Sequence, residues 1–67
     1  MSRAYEDLQY TVEEWAQDNS RIVEVLARVG SLRLAYATYW AALAARPRSR
    51  IILRQKAHEL AARDAVQ

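Results

Sequence analysis

Several residue types are missing or rare in this chain, and each absence excludes a class of structure. The 67 residues include no cysteine, so disulfide bonds are excluded. A single histidine argues against a structural metal site, which needs several such ligands. Only one glycine and one proline are present, and 52% of the residues are hydrophobic. This composition is far from that of a disordered chain.

The chain also lacks a long uncharged run. Its longest segment without a charged residue covers positions 34–45, whereas a membrane-spanning helix needs about 20 apolar residues. The first positions include acidic Glu6 and no apolar stretch, unlike a secretory signal peptide. We therefore expect a cytoplasmic protein without a membrane segment.

The length predicts a single domain over residues 1–67 and makes that domain marginal by itself. A chain this short buries only about 60% of the surface that it exposes when unfolded. Small domains without disulfides or metals commonly gain stability by oligomerisation. We therefore expect the chain to associate with itself, most simply as a homodimer.

The strongest pattern that is present is a run of positions spaced alternately by three and four residues, almost all of them apolar. The positions are Tyr5, Leu8, Val12, Trp15, Asn19, Ile22, Leu26 and Val29. This spacing is typical of one stripe on an α-helix that packs against another helix. It predicts a helix from about Ser2 to Val29, with the stripe as the oligomer interface. Asn19 either fixes the register of the helices or lies at the edge of the stripe.

The remaining sequence predicts a second helical arm. Gly30 and Ser31 are typical of a turn followed by a helix cap, so a second helix is predicted over 32–46. Pro47 ends or kinks this helix, and a third helix is predicted over 49–65. The predicted fold is therefore all-α: a helical hairpin of one long helix and a proline-broken second arm, assembling into a helical bundle as a homo-oligomer.

One alternative to the hairpin stays open. The three-four spacing continues through Gly30 with little loss of apolar character. A single continuous helix to residue 46 would contain that glycine at a cost of about 1 kcal/mol. The sequence favours the turn, because the only glycine precedes a serine where a turn is needed.

Charge is divided unevenly between the two parts of the chain. Residues 1–27 carry a net charge of −4, and residues 28–67 carry +6. Five basic residues stand close together around Pro47: Arg46, Arg48, Arg50, Arg54 and Lys56. These side chains either contact an external anion such as nucleic acid or are neutralised by the acidic part of the chain. We favour neutralisation.

No residues in the sequence have the pattern of a catalytic triad, a metal site or a cofactor site. The sequence therefore predicts a small non-enzymatic module for protein–protein interaction and oligomerisation, of regulatory or adaptor type. The expected partner is a second copy of the chain or another protein. The alternative is a small nucleic-acid-binding protein that uses the basic 46–56 segment.

Overall fold

The computed structural model of the protein describes residues 9–65, which form a four-stranded antiparallel sheet and one helix. The elements are β1 (Tyr10–Trp15), β2 (Ile22–Val29), α1 (Leu32–Ala45), β3 (Arg50–Gln55) and β4 (His58–Arg63). Their order in the sheet is β2-β1-β3-β4. Because β1 is antiparallel to both of its neighbours, β2 and β3 run parallel to each other. Helix α1 connects them across one face of the sheet.

A six-residue loop, 16–21, joins β1 to β2. The Ala16 N–H donates to the Arg21 carbonyl at 2.9 Å, and the Asn19 N–H donates to the Ala16 carbonyl at 2.9 Å. Asn19 has a φ of 64°, a left-handed conformation that asparagine adopts more readily than most residues. The Asp18 carboxylate accepts from the Ser20 N–H at 3.0 Å. These bonds define one conformation of the loop.

Helix α1 is flanked by the N-cap residue Ser31 and the C-cap residue Arg46. The Ser31 hydroxyl oxygen accepts from the Leu34 N–H at 3.4 Å, as expected of an N-cap. After the helix, the Ser49 N–H donates to the Arg46 carbonyl at 3.1 Å and closes a turn. Pro47 occupies the second position of this turn, where its fixed φ is favourable.

The hydrophobic core lies between α1 and the face of the sheet beneath it. Its buried members are Val12, Ala35, Tyr39, Ala42, Ile51 and Leu53. The alanines of α1 that face the sheet have small side chains, so the helix can approach the two central strands closely. The fully buried Val12, Ile51 and Leu53 come from these central strands.

The prediction of an all-α fold is wrong, and the first 29 residues show why. The three-four spacing does not form a helical stripe, because residues 10–15 and 22–29 are paired strands. Val12 points toward α1, whereas Trp15, an odd number of residues further on, points to the opposite face. Asn19, predicted inside a helix, lies in the loop. Tyr5 and Leu8 lie outside the described residues.

β-branched residues explain this outcome. Thr11 and Val12 stand in β1, and isoleucine or valine fills four positions of β2. Such residues favour strands over helices because branching at Cβ restricts χ1 in a helix. The Asp-Asn-Ser sequence between the two strands is typical of a turn. Both signals compete with the helical period and prevail over it.

The predicted third helix over 49–65 is also wrong, since this segment forms the β3–β4 hairpin. Lys56 and Ala57 make the turn, and Lys56 has a φ of 52°. No glycine or asparagine marks this turn in the sequence. The run from Ile51 to Leu53 is buried throughout, although adjacent strand residues face opposite sides of the sheet.

The second predicted helix is confirmed with nearly the predicted bounds, as is the turn that precedes it. The alternative of one continuous helix through Gly30 is therefore also wrong. Gly30 does not have a positive φ. The left-handed helix end expected there is absent, because a strand and not a helix precedes the glycine.

Candidate functional site

The face of the sheet opposite α1 carries a regular array of polar and aromatic side chains. Within residues 9–65, α1 is the only helix, and this face, which we call the open face, is the one it does not cover. Three cross-strand rows, each read from β2 through β1 to β3, lie on it: Arg28, Thr11, Arg54; Val25, Glu13, Ile52; and Ile22, Trp15, Arg50. Glu13 is at the centre of this array.

Glu13 is buried, with 1% of its surface exposed, although it lies on the open face. Its Oε1 accepts from Trp15 Nε1 at 2.9 Å and from Arg54 Nε at 2.9 Å. Its Oε2 accepts from Thr11 Oγ1 at 2.9 Å and from Arg54 Nη2 at 2.8 Å. The pair with Arg54 is thus bidentate, the strongest geometry for these two groups.

The hydrogen bonds decide the charge of Glu13. Burial by itself would raise the pKa of this carboxyl, but the bonds from Arg54, Trp15 and Thr11 outweigh it and lower the pKa below the usual 4.5. Glu13 is therefore ionised at neutral pH. A carboxylate offers about four lone-pair positions, and here four donors occupy them. Glu13 consequently has no acceptor position left for a substrate, which argues for a structural role.

Arg54 is held on both sides. Its guanidinium carbon lies 5.9 Å from the centre of the Trp15 ring, within the range of a cation–π contact. The same guanidinium makes the bidentate pair with Glu13.

The helical interpretation of the sequence did not predict this network. Thr11, Glu13 and Trp15 stand at every second position, which is a strand signal that places all three side chains on one face of a sheet.

The predicted basic cluster is largely paired within the chain. Arg46 Nη1 contacts the carboxylates of Glu14 and Glu24, the latter at 2.8 Å. The hydrogen bond from Arg46 lowers the pKa of Glu14. Arg50 pairs with Asp64, and its Nε donates to Asn19 Oδ1 at 3.1 Å.

Arg54 pairs with Glu13 in the same way, so carboxylates of the same chain neutralise three of the five residues in the predicted basic cluster. Arg48 differs: within residues 9–65 its guanidinium makes no hydrogen bond or ion pair, and it is exposed. Lys56 is exposed in the β3–β4 turn. Most of the cluster's positive charge therefore already has a partner.

The predicted oligomer interface is divided among different surroundings. Val12 is in the core, and Leu26 and Val29 pack against it. Ile22 and Trp15 form a cross-strand pair on the open face. The six predicted interface residues within 9–65 are therefore divided between the two faces of the sheet and the β1–β2 loop, and they do not form one stripe. The prediction of self-association itself stays a prediction.

The outer face of α1 is exposed and carries no charged residue over 34–45, with Arg33 at its N-terminal end on the same side of the helix. About 3.6 residues per turn place Leu34, Ala37, Trp40, Ala41 and Ala44 on the side away from the sheet, and all five are exposed. Trp40 exposes 61% of its surface and Leu34 exposes 58%. Ala37 lies between these two larger side chains along the helix, and Ala41 and Ala44 lie beyond Trp40. We refer to these five residues as the outer face of α1.

Two shallow depressions lie beside the sheet. One, of about 250 Å³, is on the open face and includes Thr11, Glu13, Arg28 and Arg54 in its lining. The other, of about 350 Å³, lies between the β1–β2 loop and the turn after α1. Trp15, Arg21, Arg48 and Arg50 are among the residues that line this second depression. It is therefore predominantly basic.

Histidine and carboxylate side chains do not form a metal site in the described part of the chain. No group of three or more such residues that could hold a metal ion occurs between positions 9 and 65. The single histidine, His58, is exposed at the start of β4. In the same range, no helix has the length and apolar character needed to cross a bilayer.

Comparison with known proteins adds no functional information. No family model matches the sequence, no curated protein is significantly similar to it, and no solved structure matches its fold significantly.

Proposed function

We propose that the chain is a small non-enzymatic protein–protein interaction module that associates with a second copy of itself through the outer face of α1. One observation carries this proposal: the side of α1 away from the sheet has no charged residue over 34–45, and it exposes Trp40 and Leu34 by more than half. This proposal places the association on a different surface from the one predicted from the sequence.

An exposed helix normally carries polar and charged residues on its solvent side. Single exposed apolar residues are common and need no explanation, but a contiguous apolar face is typical of an interaction site. On α1 the apolar character extends around the helix, because alanines and tyrosines also face the sheet. This is the pattern of a helix that is covered on both sides.

A second copy is the partner that this surface fits best. The outer face has both a projecting residue, Trp40, and a shallow track of alanines at 37, 41 and 44 beside it. In an antiparallel pair of α1 helices related by a two-fold axis, the ring of each copy would lie over the alanines of the other. The face has no charge between 34 and 45, so it offers no electrostatic complementarity to a strongly charged partner.

The size of the face sets the expected strength. With 14 residues, α1 is about 21 Å long. At a width of about 10 Å its footprint is roughly 200 Å², well below the roughly 800 Å² that each partner buries in a standard interface. We therefore expect a weak, concentration-dependent dimer whose protomers fold by themselves.

The non-enzymatic part of the proposal is supported by Glu13. This is the one buried carboxylate of the described residues, and its oxygens already accept four hydrogen bonds. It could not accept a proton from a substrate without losing a bond that stabilises the sheet. We do not propose nucleic-acid binding by the basic 46–56 segment as the function, because Arg46, Arg50 and Arg54 are paired internally.

The test uses Leu34→Glu, a variant that separates association from folding. Position 34 lies three residues after the N-cap Ser31, where an acidic side chain completes a capping box and interacts favourably with the helix dipole. The monomer should therefore keep or gain stability. Sedimentation equilibrium should show the unmodified chain dimerising as concentration rises and Leu34→Glu staying monomeric.

Ala57→Glu is the matched control, because it introduces the same charge at an exposed position in the β3–β4 turn, away from α1. It should dimerise like the unmodified chain. The proposal fails if the unmodified chain is monomeric up to millimolar concentration, or if Leu34→Glu associates as strongly as Ala57→Glu.

A further inference from the structure

The depression of about 350 Å³ between the β1–β2 loop and the turn after α1 combines an aromatic residue with several arginines. Its lining includes Trp15, two arginines that form no ion pair among residues 9–65, Arg21 and Arg48, and a third arginine, Arg50, that pairs with Asp64. We propose that it binds a nucleotide, with the phosphate on Arg48 and Arg21 and the base against Trp15.

The charges of the lining support an anionic group. Arg21, Arg48 and Arg50 line the depression, and Glu14 is the acidic residue among them. The Glu14 carboxylate is engaged by Arg46, which does not itself line the depression. Arg50 is occupied by Asp64 and Asn19. The positive charge left for a ligand is therefore that of Arg48 and, in part, that of Arg21, which interacts electrostatically with the exposed Asp18 carboxylate.

Guanidinium groups suit a phosphate because their parallel N–H donors match its oxygens. Arg48 follows Pro47 in a tight turn, so its backbone is held in place although its side chain is free. Arg21 ends the opposite loop, where its carbonyl accepts from the Ala16 N–H. The two side chains thus stand on two fixed loops on either side of the depression.

Trp15 provides the reason to expect a base and not only a phosphate. Trp15 lines the depression, while Arg54, whose guanidinium lies over the Trp15 ring, does not line it. The guanidinium of Arg54 thus occupies one side of the ring and leaves another side for a ligand. The bond from Trp15 Nε1 to Glu13 fixes the ring in position. A fixed, partly exposed ring is a suitable stacking platform for a base.

A nucleotide could reach this site free or as one unit of a single strand, and the experiment distinguishes the two. Trp40→Phe serves as background, because the chain contains two tryptophans and this change leaves Trp15 as the sole one. Emission of Trp15 is followed during titration with uridine monophosphate, with an eight-residue oligouridine and with inorganic phosphate. We expect uridine monophosphate and oligouridine to quench this emission and inorganic phosphate to leave it unchanged.

The two affinities identify the natural form of the ligand. Equal affinity for uridine monophosphate and oligouridine identifies a free nucleotide, and much tighter binding of oligouridine identifies single-stranded nucleic acid.

Arg48→Gln is the test variant. Because its side chain has no described partner, the fold should be unaffected, and affinity should fall at least about fivefold, as expected for one lost phosphate contact of about 1 kcal/mol or more. The slope of log affinity against log salt should fall by about 0.7 for a single strand. Arg28→Gln is the control: it removes the same charge from the far end of β2 and should change affinity less than twofold.

Leu34→Glu should bind like the unmodified chain, so this proposal and the association proposal stand or fall separately. The nucleotide proposal is overturned if neither nucleotide quenches Trp15. It is also overturned if inorganic phosphate competes as well as the nucleotides, or if Arg28→Gln weakens binding as much as Arg48→Gln.

Discussion

Replacing Glu13 by glutamine tests the central network of the open face. The change keeps the shape of the side chain but removes its charge and turns one acceptor oxygen into a donor. The amide nitrogen would then face N–H groups of Arg54 or Trp15 that now donate to a carboxylate. At least one of the four hydrogen bonds to Glu13 is therefore lost, and Arg54 keeps its charge without a counter-ion.

The magnitude follows from burial. Breaking a buried ion pair by removing one partner costs about 3–5 kcal/mol, and hydrogen bonds to charged groups contribute about 1.5–3 kcal/mol each. The Arg54 side chain is 30% exposed and can recover some hydration, whereas that of Glu13 is 2% exposed. We therefore expect a loss of about 2–3 kcal/mol. A chain of this length has a free energy of unfolding of about 3–10 kcal/mol, so the midpoint should fall by roughly 10–20 °C.

The assay is thermal and urea unfolding followed by circular dichroism. Glu14→Gln is the matched control, since Glu14 is the next residue on β1, faces the other side of the sheet and pairs with the more exposed Arg46. It should lose less than half as much stability. A double-mutant cycle with Arg54→Met should give a coupling energy of about 1–3 kcal/mol. A coupling below about 0.5 kcal/mol, or equal losses for Glu13→Gln and Glu14→Gln, would refute the reasoning.

Two further predictions concern pH and the cap of α1. The folded-state pKa of Glu13 lies below its usual value of 4.5, so in acid the unfolded chain binds more protons than the folded chain. The free energy of unfolding should therefore be retained above about pH 5 and decline as the pH falls below 4.5 towards the folded-state pKa. Urea midpoints at several pH values should show this decline to be shallower in Glu13→Gln, and an identical decline in both proteins would contradict the assignment. Ser31→Ala removes the N-cap of α1 and should cost about 0.5–1 kcal/mol, since the cap bond is long at 3.4 Å. Urea unfolding measures this, and an unchanged midpoint would show that the cap contributes nothing.

The sequence predicted some parts of this fold well because the signals there are local. The helix over Leu32–Ala45 is rich in alanine, begins after a serine and is followed by a proline. Each of these features acts within a few residues of its position. The neutralisation of most of the basic cluster was also expected, although it comes about through strand pairing and not through helix pairing.

The strands were missed because their signals are weaker and partly contradictory. An apolar spacing of three and four residues persisted by chance across two strands and a loop, since Trp15 and Ile22 pair on one face while Val12 and Val29 face the other. The β4 segment contains leucine and alanines that favour a helix. It becomes a strand because it supplies the second neighbour that β3 needs for its hydrogen bonds.

The sequence by itself determined the helix over Leu32–Ala45, the turns around Gly30 and Pro47, and the absence of disulfide cross-links, because composition and neighbouring residues are sufficient for these. Only the tertiary structure decided which residues share a face. Strand partners lie far apart along the chain, as Glu13 and Arg54 do, and a shift of one residue in pairing would move every side chain to the other side of the sheet. The buried carboxylate, the basic depression and the exposed face of α1 all depend on that pairing.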